Sequence, residues 1–238
     1  MANLNNKVAY ITGGSKGIGY GIAEALLKQG MRVAITSRSL ESAEKAASAL
    51  SSDKTKILAL QSDVSSLKSE QECIAKVISH FGQLDVVVAN AGVGHLVSFD
   101  ELTDEQWHET INTNLTGVFH TVKSSLEALK QSEGYVITIA SLAGTNFFEK
   151  GTAYNASKFG LVGFSQALML DVRKFGIKVT TIMPGSVATE FGDHQVSEND
   201  AWKIQPEDIG QMVTDLLNMN PRTLPSKIEV RPSKPGKG

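Results

Sequence analysis

The chain has a single cysteine, Cys73, among its 238 residues. No disulfide can form within it, and such a sequence suits a reducing compartment. Charge of one sign is also missing. Lys and Arg number 23 against 25 Asp and Glu, a net charge of −2, which argues against a polybasic nucleic-acid binder. No run approaches the ~18 apolar residues of a membrane-spanning helix. The first ten residues have no apolar core of an export signal. The five histidines (His80, His95, His108, His120 and His194) show no H-x-x-x-H or similar spacing, so no metal is expected. These absences leave a cytoplasmic globular protein, read as one domain over residues 1–238. A chain of that length buries roughly 70–75% of its unfolded surface and needs no covalent staple.

What is present is alternation. Short runs rich in Val, Ile and Leu occur at Val8–Thr12, Arg32–Ser37, Lys56–Gln61, Leu84–Ala89, Tyr135–Ala140, Lys178–Met183 and Lys227–Val230. Their near-continuous apolar character suits strands buried on both faces of a parallel sheet. Helical patterns lie between them. One runs from Ile18 to Gln29 and stops at Gly30, and another from Leu67 to Phe81 and stops at Gly82, with glycine where a left-handed cap is wanted. Thr103 and Gln106 form a capping-box pair that opens a long helix. Pro206, followed by Glu207 and Asp208, opens the last one. The pattern predicts an α/β fold: a doubly wound sheet of about seven parallel strands with helices on both faces. Residues 231–238, rich in Pro, Gly and cations, read as a flexible tail.

The first strand runs into Thr12-Gly13-Gly14-Ser15-Lys16-Gly17-Ile18-Gly19. Glycines permit a tight turn and a close approach to the backbone, and the helix that follows offers free N–H groups to an anion such as a pyrophosphate. Gly13-Gly14-Ser15-Lys16-Gly17 also matches the G-x-S-x-G elbow of hydrolases, but no later Asp–His pair stands out to complete a triad.

The G-x-x-x-G-x-G spacing resembles the short-chain dehydrogenase/reductase family, and the resemblance runs along nearly the whole chain. It implies a Rossmann-type domain and a nicotinamide cofactor. Asp63 and Val64, after the third strand, stand where the family contacts adenine. Asn90, Ala91 and Gly92 after the fourth strand resemble its N-N-A-G, with Ala89 replacing the first Asn. Pro184-Gly185-Ser186-Val187-Ala188-Thr189 matches its P-G-x-x-x-T on the nicotinamide side. The second strand ends in Ser37 and Arg38, with no acid before Glu41. A free ribose 2′-hydroxyl calls for a carboxylate at that place, whereas a 2′-phosphate calls for cations. Ser37, Arg38 and Lys16 therefore predict NADP(H).

Tyr154 and Lys158 stand four apart near the start of a long helix, on one face. A phenol of pKa ~10 is a poor acid–base at neutral pH, and a nearby ammonium is expected to lower that value. Ser141 precedes Tyr154 by the spacing of the family's Ser–Tyr pair, and Asn114 in Asn114-Leu115-Thr116-Gly117 matches its catalytic Asn. Chemistry and resemblance together cast Tyr154 as proton donor or acceptor at the carbonyl oxygen and Ser141 as its orienting partner. Lys158 holds the charge and the nicotinamide ribose, and Asn114 orders a proton relay. The implied reaction moves a hydride between NADP(H) and a small carbonyl or secondary alcohol. A 3-oxoacyl thioester reductase, a non-catalytic NADPH sensor and a sugar-nucleotide epimerase are the alternatives, the last needing a substrate domain that 238 residues do not supply.

Two further expectations concern partners. The stretch from Thr189 to Pro206 reads as a lid. Glu190, Asp193, Glu198 and Asp200 there, with Asp100, Glu101, Asp104 and Glu105 beyond the fourth strand, predict an acidic mouth. That mouth would favour a neutral substrate over a carrier-bound one. Leu96, Phe147, Phe148, Phe191 and Trp202 are the expected apolar lining. The helix from Thr152 to Phe175, apolar nearly all round, is expected to pack with Leu115, Val118, Phe119 and Val122 in a homodimer or homotetramer.

Overall fold

Successive side chains of a strand point to opposite faces, and the first strand, β1 (Val8–Ile11), is buried on both. Ala9 and Ile11 join one apolar cluster and Val8 and Tyr10 the other. In the computed structural model, which describes residues 4–234, that strand lies inside the sheet, third from one edge. Its companions are β2 (Arg32–Ser37), β3 (Ile57–Gln61), β4 (Val86–Ala89), β5 (Tyr135–Ile139), β6 (Lys178–Pro184) and β7 (Lys227–Val230). All seven are parallel, in the order β3-β2-β1-β4-β5-β6-β7. The order reverses between β1 and β4, and ligands of such sheets bind in the crevice at that switch point.

The helices are α1 (Gly17–Lys28), α2 (Leu40–Leu50), α3 (Leu67–Phe81), α4 (Asp104–Ile111), α5 (Gly117–Ser132), α6 (Thr152–Val172) and α7 (Pro206–Asn218). Ile22 and Leu26 of α1 pack with Ile209 and Val213 of α7 over one face of the sheet. Ile74 and Val77 of α3, Val118 and Val122 of α5 and Leu161 of α6 cover the other. The sequence reading did not single out α2. Its buried positions are the alanines Ala43, Ala46 and Ala47, too weak an apolar stripe to declare itself. Its cap is local: the Ser39 side chain accepts from the Ser42 N–H at 3.3 Å.

The helix opened by Thr103 differs from expectation. Its capping box with Gln106 is present, but the helix is not continuous. A π-helical segment, Asn112–Thr116, separates α4 from α5. Such turns are rare, and they gather at functional sites.

Candidate active site

Helix α1 begins at the glycine turn. The helices α2, α3 and α4 are capped by the side chains of Ser39, Ser66 and Thr103, whereas no side chain caps α1 at Lys16. Its first N–H groups face the cavity with the positive end of the helix dipole behind them, an arrangement that suits an anion. Gly13 has φ +63°, a left-handed conformation that favours glycine. At Gly19 the reason is space: a Cβ there would lie 2.4 Å from the Gly13 carbonyl oxygen. The turn is tied to the end of β4. Thr12 Oγ1 accepts from the Asn90 and Ala91 N–H groups, and Asn90 Nδ2 donates to the Thr12 and Gly13 carbonyls. A pyrophosphate fits this cradle. Ser15 has no His or carboxylate as a hydrogen-bond partner among the described residues, so the hydrolase elbow has no base.

At the end of β2, Ser37 and Arg38 open onto the same cavity, with Asp63 and Val64 after β3 alongside. Asp63 folds its carboxylate onto Ser65, accepting from its N–H (2.9 Å) and hydroxyl (2.7 Å). Arg38 is paired. Its guanidinium reaches Glu109 Oε1 at 3.3 Å, while Glu109 Oε2 meets His95 Nε2 at 2.8 Å. Lys16 reaches Glu190 Oε2 at 3.0 Å across the cavity. Both cations expected to hold a 2′-phosphate thus have carboxylate partners that the sequence did not disclose.

The π-helical turn carries Asn114, which is fully buried. Its Oδ1 accepts from the Val93 N–H (2.8 Å) and its Nδ2 donates to the Val93 carbonyl (2.8 Å) and to Ser157 Oγ (3.0 Å). Asn114 therefore pins the loop after β4 to α6. Ser141 follows β5. Its Oγ accepts from the Ala143 N–H at 3.1 Å. Asn155, which the sequence reading passed over, ties that loop to α6 by donating to the Ala143 and Asn146 carbonyls at 2.7 Å each.

Tyr154 and Lys158 share one face of α6, the ammonium lying 5.5 Å from the phenol ring centre. Lys158 Nζ donates to the Ile139 carbonyl at 3.1 Å. Burial pulls its pKa down to about 8. Burial also pushes the Tyr154 phenol up from its ordinary value, against a hydrogen bond to Ser141 that favours the phenolate. The expectation that Lys158 lowers the phenol is therefore not what this pocket shows: burial raises it, and the Ser141 hydrogen bond is what opposes that rise.

Aromatic rings surround Tyr154. Phe191 lies 5.5 Å and Phe148 6.4 Å from its ring centre. Phe147 stacks on Phe159 at 5.1 Å, nearly coplanar. A Cβ on Gly94 would meet the Phe191 ring at 2.6 Å, so Phe191 roofs the passage between the two loops.

The acidic mouth is not found. Of the acids named for it, Glu190 lines the cavity and is paired with Lys16. Asp100, Glu101, Asp104, Glu105, Glu198 and Asp200 do not line it, and the side chain of Asp193 lies outside those described. Asp200 is turned inward and buried. It accepts from the Ser197 N–H (3.0 Å), meets His194 Nε2 (2.8 Å) and pairs with Lys203 (2.6 Å). Those contacts, the Lys203 bond foremost, hold its carboxyl far below the usual range. The segment expected to act as a lid thus carries its own bracing, completed by pairing of Val187 with Ile204.

The segment read as a tail begins beside the site. Arg231, Pro232 and Lys234 line the cavity, and the Gly185 N–H donates to the Val230 carbonyl at 2.7 Å. Residues 235–238 of the expected tail lie outside the described residues.

One cavity of about 1400 Å³ collects nearly all of these groups. It takes in every residue expected to contact cofactor except Gly19, which stands behind the turn. It takes in Ser141, Tyr154 and Lys158, with Asn114 behind the wall, and also Leu96, Phe147, Phe148, Phe191 and Trp202. His95, Glu109, Leu142, Arg231 and Pro232 line it too and were missed. Histidine and charged residues outside a motif carry no local signal of where they will fold.

Comparison with known proteins agrees with this geometry. Residues 7–200 match the family described as short chain dehydrogenase. An uncharacterised oxidoreductase of Staphylococcus saprophyticus is 32% identical over 238 residues, covering 98% of this chain and 100% of that one. A putative ketoacyl reductase of Streptomyces coelicolor is 34% identical, covering 96% and 89%. Among solved structures, an alcohol dehydrogenase of the archaeon Thermococcus sibiricus, complexed with 5-hydroxy-NADP, superposes with a TM-score of 0.90 at 31% identity over 96% and 97% of the two chains. A metagenomic short-chain oxidoreductase in complex with NADP gives 0.85 at 28% over 98% and 100%. The chain belongs to the short-chain dehydrogenase/reductase family and is a nicotinamide-dependent oxidoreductase.

Proposed function

We propose that the protein is an NADP(H)-dependent reductase of small carbonyl compounds, or dehydrogenase of the corresponding alcohols. The observation that carries this reading is that Ser141, Tyr154 and Lys158 share one cavity wall with the uncapped N-terminus of α1. The bound cofactor supplies or takes up the hydride. The residues do the rest. Tyr154 gives its phenolic proton to the carbonyl oxygen in reduction and removes it from the alcohol in oxidation. Ser141 hydrogen-bonds the same oxygen and sets its direction. Lys158 stabilises the developing phenolate and engages the nicotinamide ribose hydroxyls. Asn114 holds the loop beside Lys158 and orders the proton relay behind it.

Arg38 and Lys16, with no acid at Ser37, support NADP(H) over NAD(H), as does the NADP bound in the two similar structures. A second reading, reduction of 3-oxoacyl thioesters, is favoured by the likeness to the Streptomyces protein. The outward face of α5 and α6, with Phe119, Phe159 and Leu170 exposed, supports assembly into a homodimer or homotetramer. Val118 and Val122, expected at that contact, instead face the sheet. Absence of NADPH oxidation with every member of a panel of diketones, aldehydes, oxo acids and acetoacetyl thioesters would reject the enzymatic reading and leave a cofactor sensor.

A further inference from the structure

We infer that Arg231, on the strand-end segment after β7, binds an anionic group of the substrate, so that the preferred substrates are small oxo acids or their hydroxy acids. This rests on the carbonyl-reductase reading above and names the substrate class of that same site.

The argument starts from charge. Six cations line the cavity: Lys16, Arg38, Lys158, Lys203, Arg231 and Lys234. Four have firm internal work. Lys16 pairs with Glu190, Arg38 with Glu109, Lys203 with the buried Asp200, and Lys158 donates to the Ile139 carbonyl. Arg231 meets a single carboxylate, Glu229, through one nitrogen at 3.3 Å. A guanidinium has five donors in a planar fork, so most of its capacity is left for a second, bidentate anion. The lining carboxylates do not compete for it. Glu109 and Glu190 are held on the cofactor side by Arg38 and Lys16, and Asp63 is turned onto Ser65.

Position follows from the backbone. The Gly185 N–H donates to the Val230 carbonyl at 2.7 Å, directly before Arg231. A Cβ on Gly185 would lie 3.3 Å from Pro232 Cδ and 3.1 Å from Leu142 Cδ1. Leu142 follows Ser141, whose hydroxyl points to the Pro184 carbonyl at 3.5 Å. Ser141, Leu142, Pro184, Gly185 and Pro232 thus form a continuous wall that leads from Ser141 to Arg231. The rings of Phe148 and Phe191, 6.4 and 5.5 Å from the Tyr154 ring centre, narrow the reacting end and favour a short chain. In the reaction, the oxo acid gains a hydride at its carbonyl carbon from NADPH and a proton on oxygen from Tyr154. The products are a hydroxy acid and NADP⁺.

The test compares acids with their methyl esters: pyruvate, acetoacetate and levulinate against the three esters, with acetoacetyl-coenzyme A as a further arm. The expected result is at least a tenfold higher kcat/KM for one acid than for its ester. In Arg231→Ala that advantage disappears through KM, while turnover of the ester and the dissociation constant for NADPH change less than twofold. Butyrate, but not butyramide, should inhibit ester reduction competitively in the native enzyme and not in R231A. Esters that equal or exceed their acids, acetoacetyl-coenzyme A outpacing every acid, or equal losses on acid and ester in R231A would each overturn the assignment and leave the reductase reading standing. Inactivity toward all seven compounds would likewise overturn the assignment, and the reductase reading would fall with it only if diketones and aldehydes were inactive too.

Discussion

Lys158 is held where its charge is unfavourable. Its folded pKa of about 8 lies below the ordinary 10.5, so the unfolded chain binds the proton more tightly than the fold does. The cost is full below about pH 8 and is relieved as pH rises toward 10.5; at neutral pH it amounts to about 3 kcal/mol. Lys158→Met should therefore raise Tm by several degrees in calorimetry while abolishing turnover. In the native enzyme the rate of carbonyl reduction should fall as pH rises through about 8, because neutral Lys158 no longer stabilises the phenolate that forms on Tyr154. A flat profile from pH 7 to 9 would remove Lys158 from that role. Arg38 poses a second question at this scale. Ser37→Asp combined with Arg38→Ala should reverse cofactor preference toward NADH by tenfold or more in kcat/KM. Glu109→Gln releases Arg38 from its partner and should tighten NADPH a few-fold at low salt, with less effect at high salt, since the pair is exposed.

Among the elements, the π-helical turn Asn112–Thr116 has the clearest consequence. It lets Asn114 bond both backbone groups of Val93 from inside a helix. Asn114→Ala would leave the Val93 N–H without that partner, at about 2 kcal/mol in chemical denaturation. Deleting Thr113, which would restore regular helical spacing, should retain the far-ultraviolet helical signal and lose activity, because the asparagine would be turned off Val93. The lid segment makes a second case. Asp200 is its internal tie, and its depressed carboxyl pKa means that the tie is complete above the ordinary carboxylate range and weakens as pH falls below it. Asp200→Ala should raise KM for the carbonyl substrate and speed protease cleavage between Thr189 and Pro206. The dissociation constant for NADPH should change little. Unchanged cleavage would show that the lid is braced elsewhere.

At the level of the whole molecule, the exposed apolar side chains Phe119, Phe159 and Leu170 lie on α5 and α6, two of the three helices that cover one face of the sheet. A stable dimer or tetramer through that face should show in light scattering at micromolar concentration. Leu170→Glu should shift it toward monomer with the far-ultraviolet spectrum unchanged. A monomeric native protein would refute the assembly.

The sequence alone determined the features that depend on local pattern. Alternating apolar runs and capped helices specified the doubly wound sheet, since burial on two faces leaves its mark residue by residue. The glycine turn, the Tyr154–Lys158 spacing and Ser141 at a strand end were equally legible, because covalent spacing fixes which side chains can share a surface. Tertiary structure alone decided how distant charges pair: Lys16 with Glu190 across 174 positions and Arg38 with Glu109 across 71. A carboxylate has the same local signature on an open rim as inside an ion pair, so counting acids predicted an acidic mouth where the fold pairs Glu190 with Lys16 and turns Asp200 inward onto Lys203. The same limit hid the π-helical turn, whose residues read as ordinary helix, and the place of Arg231, whose Pro-rich neighbourhood reads as tail. Only the pairing of β7 with β6 brings that segment to the cavity wall.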